Sequence, residues 1–178
     1  MFDMDKTSTR KLALSGLFLA LGFLLPFVTG SNQALGKMFL PMHIPILLCG
    51  FVCGWPYGLV VGFVTPLFRS AILGMPPMFP TAVSMAFELA AYGFLAGLLY
   101  KLLPKKNIYV LVSLVLSMLG GRIVLGIANL ILYGASEKTL NVFLIGAFTD
   151  AAPGIIIQLV LIPVLIIALV KANLIKGE

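Results

Sequence analysis

The stretch that decides the fold is residues 108–133, IYVLVSLVLSMLGGRIVLGIANLILY, an apolar run interrupted by one charge, Arg122. At ~1.5 Å per helical residue it exceeds the roughly 30 Å hydrocarbon thickness of a bilayer. Its flanks are turns: Leu103-Pro104-Lys105-Lys106-Asn107 before it and a Gly-, Ser- and charge-bearing segment after it. A charge at such a depth is costly unless it faces a protein interior or a water-filled cavity. Residues 108–133 therefore read as a membrane helix with one polar commitment.

The rest of the chain has the same character. Apolar residues make up 61% of its 178 positions and charged residues 10%, with a mean hydropathy of +1.12. A soluble domain of this size cannot hide so much apolar surface, so the class is a polytopic, all-α membrane protein. Six spans are predicted, at about 10–28, 39–53, 56–73, 81–103, 108–133 and 148–172, in a single membrane domain over 1–178. Lys6, Arg10 and Lys11 ahead of Leu12–Val28 resemble a secretory leader, but Pro26-Phe27-Val28-Thr29-Gly30 is no small-x-small cleavage site, so the first span is expected to stay. Pro41 and Pro45 predict an irregular or partly re-entrant second span. The segments 29–38, 74–80 and 134–147 read as the longer loops, and Gly54-Trp55-Pro56-Tyr57-Gly58 as a tight turn.

Basic residues orient the bundle. Lys6, Arg10, Lys11, Lys101, Lys105, Lys106, Lys171 and Lys176 cluster at one side, whereas the opposite loops carry only Lys37 and Lys138. The positive-inside rule then puts both termini in the cytoplasm and the three long loops outside. The net charge of +6 is explained by this asymmetry and does not require a nucleic-acid partner.

Apart from the basic residues at the inner helix ends, four charges fall within the spans or at their outer edge: Arg69, Glu88, Arg122 and Asp150. Counted from the outer helix ends, Arg69 lies about 6 Å deep, Glu88 about 10 Å and Arg122 about 16 Å, with Asp150 at the start of the sixth span. Tyr92 follows Glu88 by four residues, Asn129 follows Arg122 by seven and Gln158 follows Asp150 by eight, so each shares a helix side with its charge. His43, the sole histidine, sits near the outer surface in Leu40-Pro41-Met42-His43-Ile44-Pro45. This set predicts an outward-opening polar pocket for a small polar or anionic ligand. Arg–acid pairing that merely holds the bundle together is the plainer alternative for any one of these residues. Gly74-Met75-Pro76-Pro77 is either a connector or a wall of that pocket.

Other chemistry finds no footing. Cys49 and Cys53 share a helix face without His or acidic partners, which predicts core thiols rather than a metal site. No His-Glu-x-x-His, Gly-x-Ser-x-Gly or P-loop motif occurs. No metal or cofactor is expected, and any energy for transport has to come from a partner or an ion gradient. A small intramembrane enzyme using Glu88 and His43, or a carrier acting alone, are the competing classes. Ala13, Gly16 and Ala20 put small residues on one face of the first helix, a spacing that lets another helix approach closely.

Taken together, Thr9-Arg10-Lys11-Leu12-Ala13, Gly16-x-x-x-Ala20, Leu40-Pro41-Met42-His43-Ile44-Pro45, Gly50-x-x-x-Gly54-Trp55-Pro56-Tyr57-Gly58, Pro66-Leu67-x-Arg69-Ser70 and Met85-Ala86-x-Glu88-Leu89-Ala90-x-Tyr92-Gly93 resemble the substrate-binding S component of energy-coupling factor (ECF) vitamin transporters. The resemblance spans essentially the whole chain and is nearest the pantothenate branch, with pyridoxine, hydroxymethylpyrimidine and folate members as relatives. It implies a subunit of the prokaryotic plasma membrane that captures a vitamin from outside. It also implies docking through Ala13, Gly16 and Ala20 onto a transmembrane T component with two ATP-hydrolysing subunits. Gly16 stands where the family commonly has Ala. The resemblance further implies gating of the pocket by the outer loops and toppling of the whole S component to deliver its cargo. The substrate-contacting set expected from both lines of reading is His43, Arg69, Glu88, Tyr92, Arg122, Asn129, Asp150 and Gln158.

The topology is open to direct test. Cysteines placed at Lys105 and Lys138 are expected to react with a membrane-impermeant thiol reagent from opposite sides, and labelling from the same side would refute the arrangement.

Overall fold

The computed structural model describes residues 6–29, 33–104, 106–134 and 136–172, and among them every regular element is helical. Eight α-helices follow one another: α1 Lys6–Leu24, α2 Gln33–Phe39, α3 His43–Cys53, α4 Trp55–Leu73, α5 Val83–Leu102, α6 Asn107–Tyr133, α7 Glu137–Leu144 and α8 Ala152–Lys171. Six segments are long and apolar enough to cross a membrane: 8–29, 34–53, 55–73, 78–102, 107–133 and 152–171. They reproduce the six predicted spans to within a few residues at most ends.

The differences lie in the segments expected to be loops. The segments 29–38 and 134–147, expected as loops, are largely helical: α2 fills most of the former and α7 most of the latter. Both helices are short, and neither is long enough to reveal a period against Gly- and Ser-bearing flanks. The expected irregularity of the second span has a definite form. Helix α2 stops at Phe39, Leu40 takes a left-handed backbone with φ of 51°, and α3 restarts at His43. A non-glycine residue in that region costs on the order of 1–3 kcal/mol and survives only where its surroundings hold it. Leu40 is buried, so packing supplies the restraint.

Helix α5 is the centre of the bundle, packed against α3, α4 and α6, while α1 lies on α3 and α4, and α8 touches α2, α3 and α6. The contact between α4 and α5 is made of backbone. A Cβ added at Gly93 would fall on the Gly58 carbonyl, one at Gly62 on the Leu89 carbonyl, and one at Gly50 on the Gly93 carbonyl. In a bilayer apolar burial gives helices little reason to associate, so such close van der Waals approach carries the association. Gly54, with φ of 96°, joins α3 to α4 without an intervening loop, and Pro56 follows in the first turn of α4, where a missing N–H costs nothing. Around the seam lie Ile46, Leu47, Leu89, Leu114, Ile162 and Ile166, all fully buried. Cys49 and Cys53 are buried free thiols in the same core. The exposed apolar side chains of α1, α4, α6 and α8 form the surface suited to lipid.

Candidate functional site

Charge enters the bundle on the face of α5 that the glycine seam leaves pointing toward α3 and α6. Glu88 is 2% exposed, and its Oε1 accepts a hydrogen bond from Arg122 Nη1 of α6 at 2.8 Å. His43, at the first turn of α3, brings Nε2 to 3.6 Å from the same oxygen. One turn further along α5, Tyr92 meets the His43 ring edge-on with centroids 5.3 Å apart and lies within reach of Glu88 and Arg122. Its ring covers Gly121, where a Cβ would strike it, so the glycine beside Arg122 is what admits the tyrosine. The sequence depths of Glu88 and Arg122 differed by about one turn, and the length of the arginine side chain closes that gap.

The cluster forms the floor of a cavity of about 290 Å³. His43, Glu88 and Arg122 line it from below, with Ser84 one turn ahead of Glu88. Arg69, Pro26 and Thr29 form one wall and Leu125, Val142, Phe143 and Ala147 another. Lys37 and Asp150, both exposed, stand at its margin, and Leu40, Pro41 and Met42 follow the break between α2 and α3. Met75, Pro76 and Thr81 also face it, so the proline-bearing segment after α4 is a wall of the cavity as well as a connector. Helix α3 points its N-terminus here, without a side-chain cap, and contributes the positive end of its dipole.

The floor retains hydrogen-bonding capacity. Arg122 Nη2 and both ring nitrogens of His43 are buried and make no hydrogen bond to protein. Buried polar atoms of this kind are costly when unmatched, so they mark positions where a ligand's polar groups fit. Arg69 differs from Arg122. It donates from Nη1 to the Phe23 carbonyl at 2.6 Å, and its guanidinium lies 4.9 Å from the Phe27 ring centroid.

Of the eight residues expected to meet substrate, His43, Arg69, Glu88, Arg122 and Asp150 line the cavity. Tyr92 lies beneath it as support for His43 and Glu88. Asn129 and Gln158 are not among the lining residues. Asn129 is partly buried higher on α6, and Gln158 is wholly buried lower on α8 with both amide atoms unmatched by protein. Each shares a side of its helix with a lining charge but lies two turns away along the axis. Lys37, Thr29, Ser84 and Phe143 were not foreseen. Ser84 carried a usable signal, being four residues before Glu88 on the same face. The small-residue face of α1 turns outward: Ala13, Gly16 and Ala20 are exposed, and a Cβ at Gly16 would meet nothing. No group of His, Cys, Asp and Glu suited to a metal occurs among the described residues.

A small, largely apolar cavity with a charged floor, sunk into a bundle of six candidate membrane spans, has the form of a small-molecule site in a membrane subunit. The family model for the ECF transporter substrate-specific component matches residues 10–166, and the chain belongs to that family. No curated protein and no solved structure matched it. Membership makes this a multi-pass membrane protein that binds a small-molecule substrate for transport and is not itself catalytic, and it implies association with a T component and ATPases.

The buried pair is expected to behave as a unit. Replacing Arg122 with Met strands the Glu88 carboxylate and lowers stability by about 3–5 kcal/mol. Adding Glu88→Gln recovers most of that loss, because no uncompensated charge remains. Thermal unfolding of the two single variants and the double variant in detergent measures the coupling, and additive effects would show that the pair is not coupled.

Proposed function

We propose that the protein is the high-affinity vitamin-binding subunit of an ECF importer, and that its substrate is a small anionic vitamin, pantothenate being the best match. The observation that carries the anionic reading is the cavity's charge. Arg69, Arg122 and Lys37 line it against Glu88 and Asp150, and Glu88 is already engaged by Arg122. The uncapped start of α3 adds to the positive potential. A guanidinium matches a carboxylate with parallel charge-assisted bonds, and both Arg69 and Arg122 line the cavity. Arg122 Nη2 and His43 then suit the amide and hydroxyls of pantothenate. Size supports a short ligand: about 290 Å³ is at the lower end of ligand pockets, which suits pantothenate, pyridoxine or hydroxymethylpyrimidine better than folate.

Pyridoxine is the second reading, favoured by His43 and Tyr92 as aromatic neighbours of a neutral ring. In either case the protein is placed in the prokaryotic plasma membrane with both termini inside, and Ala13, Gly16 and Ala20 form the face that docks on the T component. The exposure of all three supports that assignment.

Isothermal calorimetry on the purified protein is expected to show tight binding of pantothenate, with Arg69→Ala weakening it by about 10- to 150-fold, equivalent to roughly 1.5–3 kcal/mol. A parent protein that ignores pantothenate and binds pyridoxine would transfer the assignment to the neutral vitamin.

Docking is tested separately. Gly16→Trp is expected to abolish co-purification with the T component and ATPases and to stop uptake, while ligand binding by the isolated subunit persists. Normal uptake by cells carrying Gly16→Trp in a complete transporter would remove α1 from the interface.

A further inference from the structure

Helix α8 buries Gly154, Gln158, Ile162 and Ile166 along one side, and Gln158 is the polar member of that stripe. It is fully enclosed, and neither atom of its amide has a hydrogen-bond partner in the protein. Enclosing a primary amide in this way is costly, because two donors and a carbonyl lose their water. Its level in the bundle follows from two landmarks. Lys37 of α2 and Asp150, just ahead of α8, both stand at the cavity margin, and from there the span 34–53 and α8 descend in contact with one another. A Cβ added at Gly154 would strike the carbonyl of Phe39, the last residue of α2. Four residues further along α8 comes Gln158, and four residues beyond Phe39 comes His43, which opens α3. The ring of His43 has a complementary need. Its Nε2 stands 3.6 Å from Glu88 Oε1, while Nδ1 is buried with no hydrogen bond to protein. A carboxylate only accepts, so the nitrogen beside it carries the proton of a neutral imidazole and Nδ1 is left with a lone pair.

We propose that Gln158 is a positioning residue that donates from its amide to His43 Nδ1, directly or through one buried water, and so holds the ring in its Nε2–H tautomer. A buried water in such a place typically serves about three polar partners. The effect is felt in the cavity, although Gln158 does not line it. With Nδ1 occupied from α8, His43 Nε2–H and the unmatched Nη2 of Arg122 make the floor a set of donors. The ligand atoms that fit there are acceptors: carboxylate, carbonyl or hydroxyl oxygens. Without the amide the second tautomer gains population, and a nitrogen lone pair then faces Glu88. The role in binding rests on the reading of the cavity as the substrate site, whereas the state of the ring does not depend on which vitamin the cavity takes.

His43 is the only histidine in the chain, so nitrogen NMR on isotope-labelled histidine reads a single ring once the protein is purified through a histidine-free tag. In detergent at about pH 8, where an ordinary imidazole is neutral, the parent without ligand is expected to carry its proton on Nε2 and to accept at Nδ1. Gln158→Met keeps the bulk and removes the amide. It is expected to move the tautomer ratio at least ~5-fold, the scale of one lost hydrogen bond, and to weaken pantothenate by about the same factor in calorimetry. A glutamine that only fills space would leave the ring unchanged, and methionine in its place would raise the unfolding temperature. An unaltered ring in Gln158→Met therefore overturns the proposal. So does a parent ring with its proton on Nδ1 or on both nitrogens, which needs no variant and keeps the test intact if Gln158→Met fails to fold. A shifted ring with undiminished affinity overturns the link to binding. A parent that ignores pantothenate while the ring behaves as expected removes the vitamin assignment and leaves the role of Gln158 standing.

Discussion

The close backbone approach of α4 and α5 governs everything built above it. Gly58, Gly62 and Gly93 let the two helices touch main chain to main chain, and Gly50 brings α3 into the same seam. No side chain intervenes to absorb a change, so the relative rotation of these helices is fixed within a narrow range. That rotation turns Glu88 inward rather than toward lipid and sets His43 beside it. A carboxylate held at this depth needs a partner, and Arg122 on α6 provides one, which fixes the third side of the site. The order of dependence runs from glycine spacing to helix rotation to charge placement.

The two arginines show how one residue type takes two tasks in one cavity. Arg122 neutralises a buried acid through one nitrogen and keeps another turned to unsatisfied space. Arg69 donates to the Phe23 carbonyl and rests against the Phe23 and Phe27 rings. The first arginine adds shape and donors to the floor, and the second stands in the wall beside Pro26 and Thr29.

The spans were legible because length and hydropathy suffice to mark a helix that crosses a bilayer, and the charges stood out against that background. Glu88 and Arg122 were found in this way without any knowledge of their contact. The failures have a common geometry. Asn129 and Gln158 were chosen because seven or eight residues return to the same side of a helix, but that interval also moves them about 10–12 Å along it. Sharing a side was mistaken for sharing a level. Lys37 and Phe143 were missed because α2 and α7 are seven and eight residues long, too short for a periodic pattern to rise above Gly- and Ser-bearing flanks. The exposure of Ala13, Gly16 and Ala20 had no sequence signature at all. Small residues at that spacing serve inner and outer contacts equally, and only the packing of α1 on α3 and α4 shows which face is left over.

Helix α3 has eleven residues and so reaches about 16 Å, roughly half the hydrocarbon thickness. The strained Leu40 and the proline after it stop the helix there, and the cavity begins where α3 ends. The cavity is thus opened at a break: the span 34–53 is interrupted between α2 and α3, and the space lies beside that interruption. Such a site has an immovable base, because the base is the cut end of a core helix wedged against the glycine seam. Its walls come from α4 and α6 as well as from the shorter pieces around α2, α7 and the segment after α4. The break in the span thus sets how deep the cavity reaches, and its rim is shared between long helices and short ones.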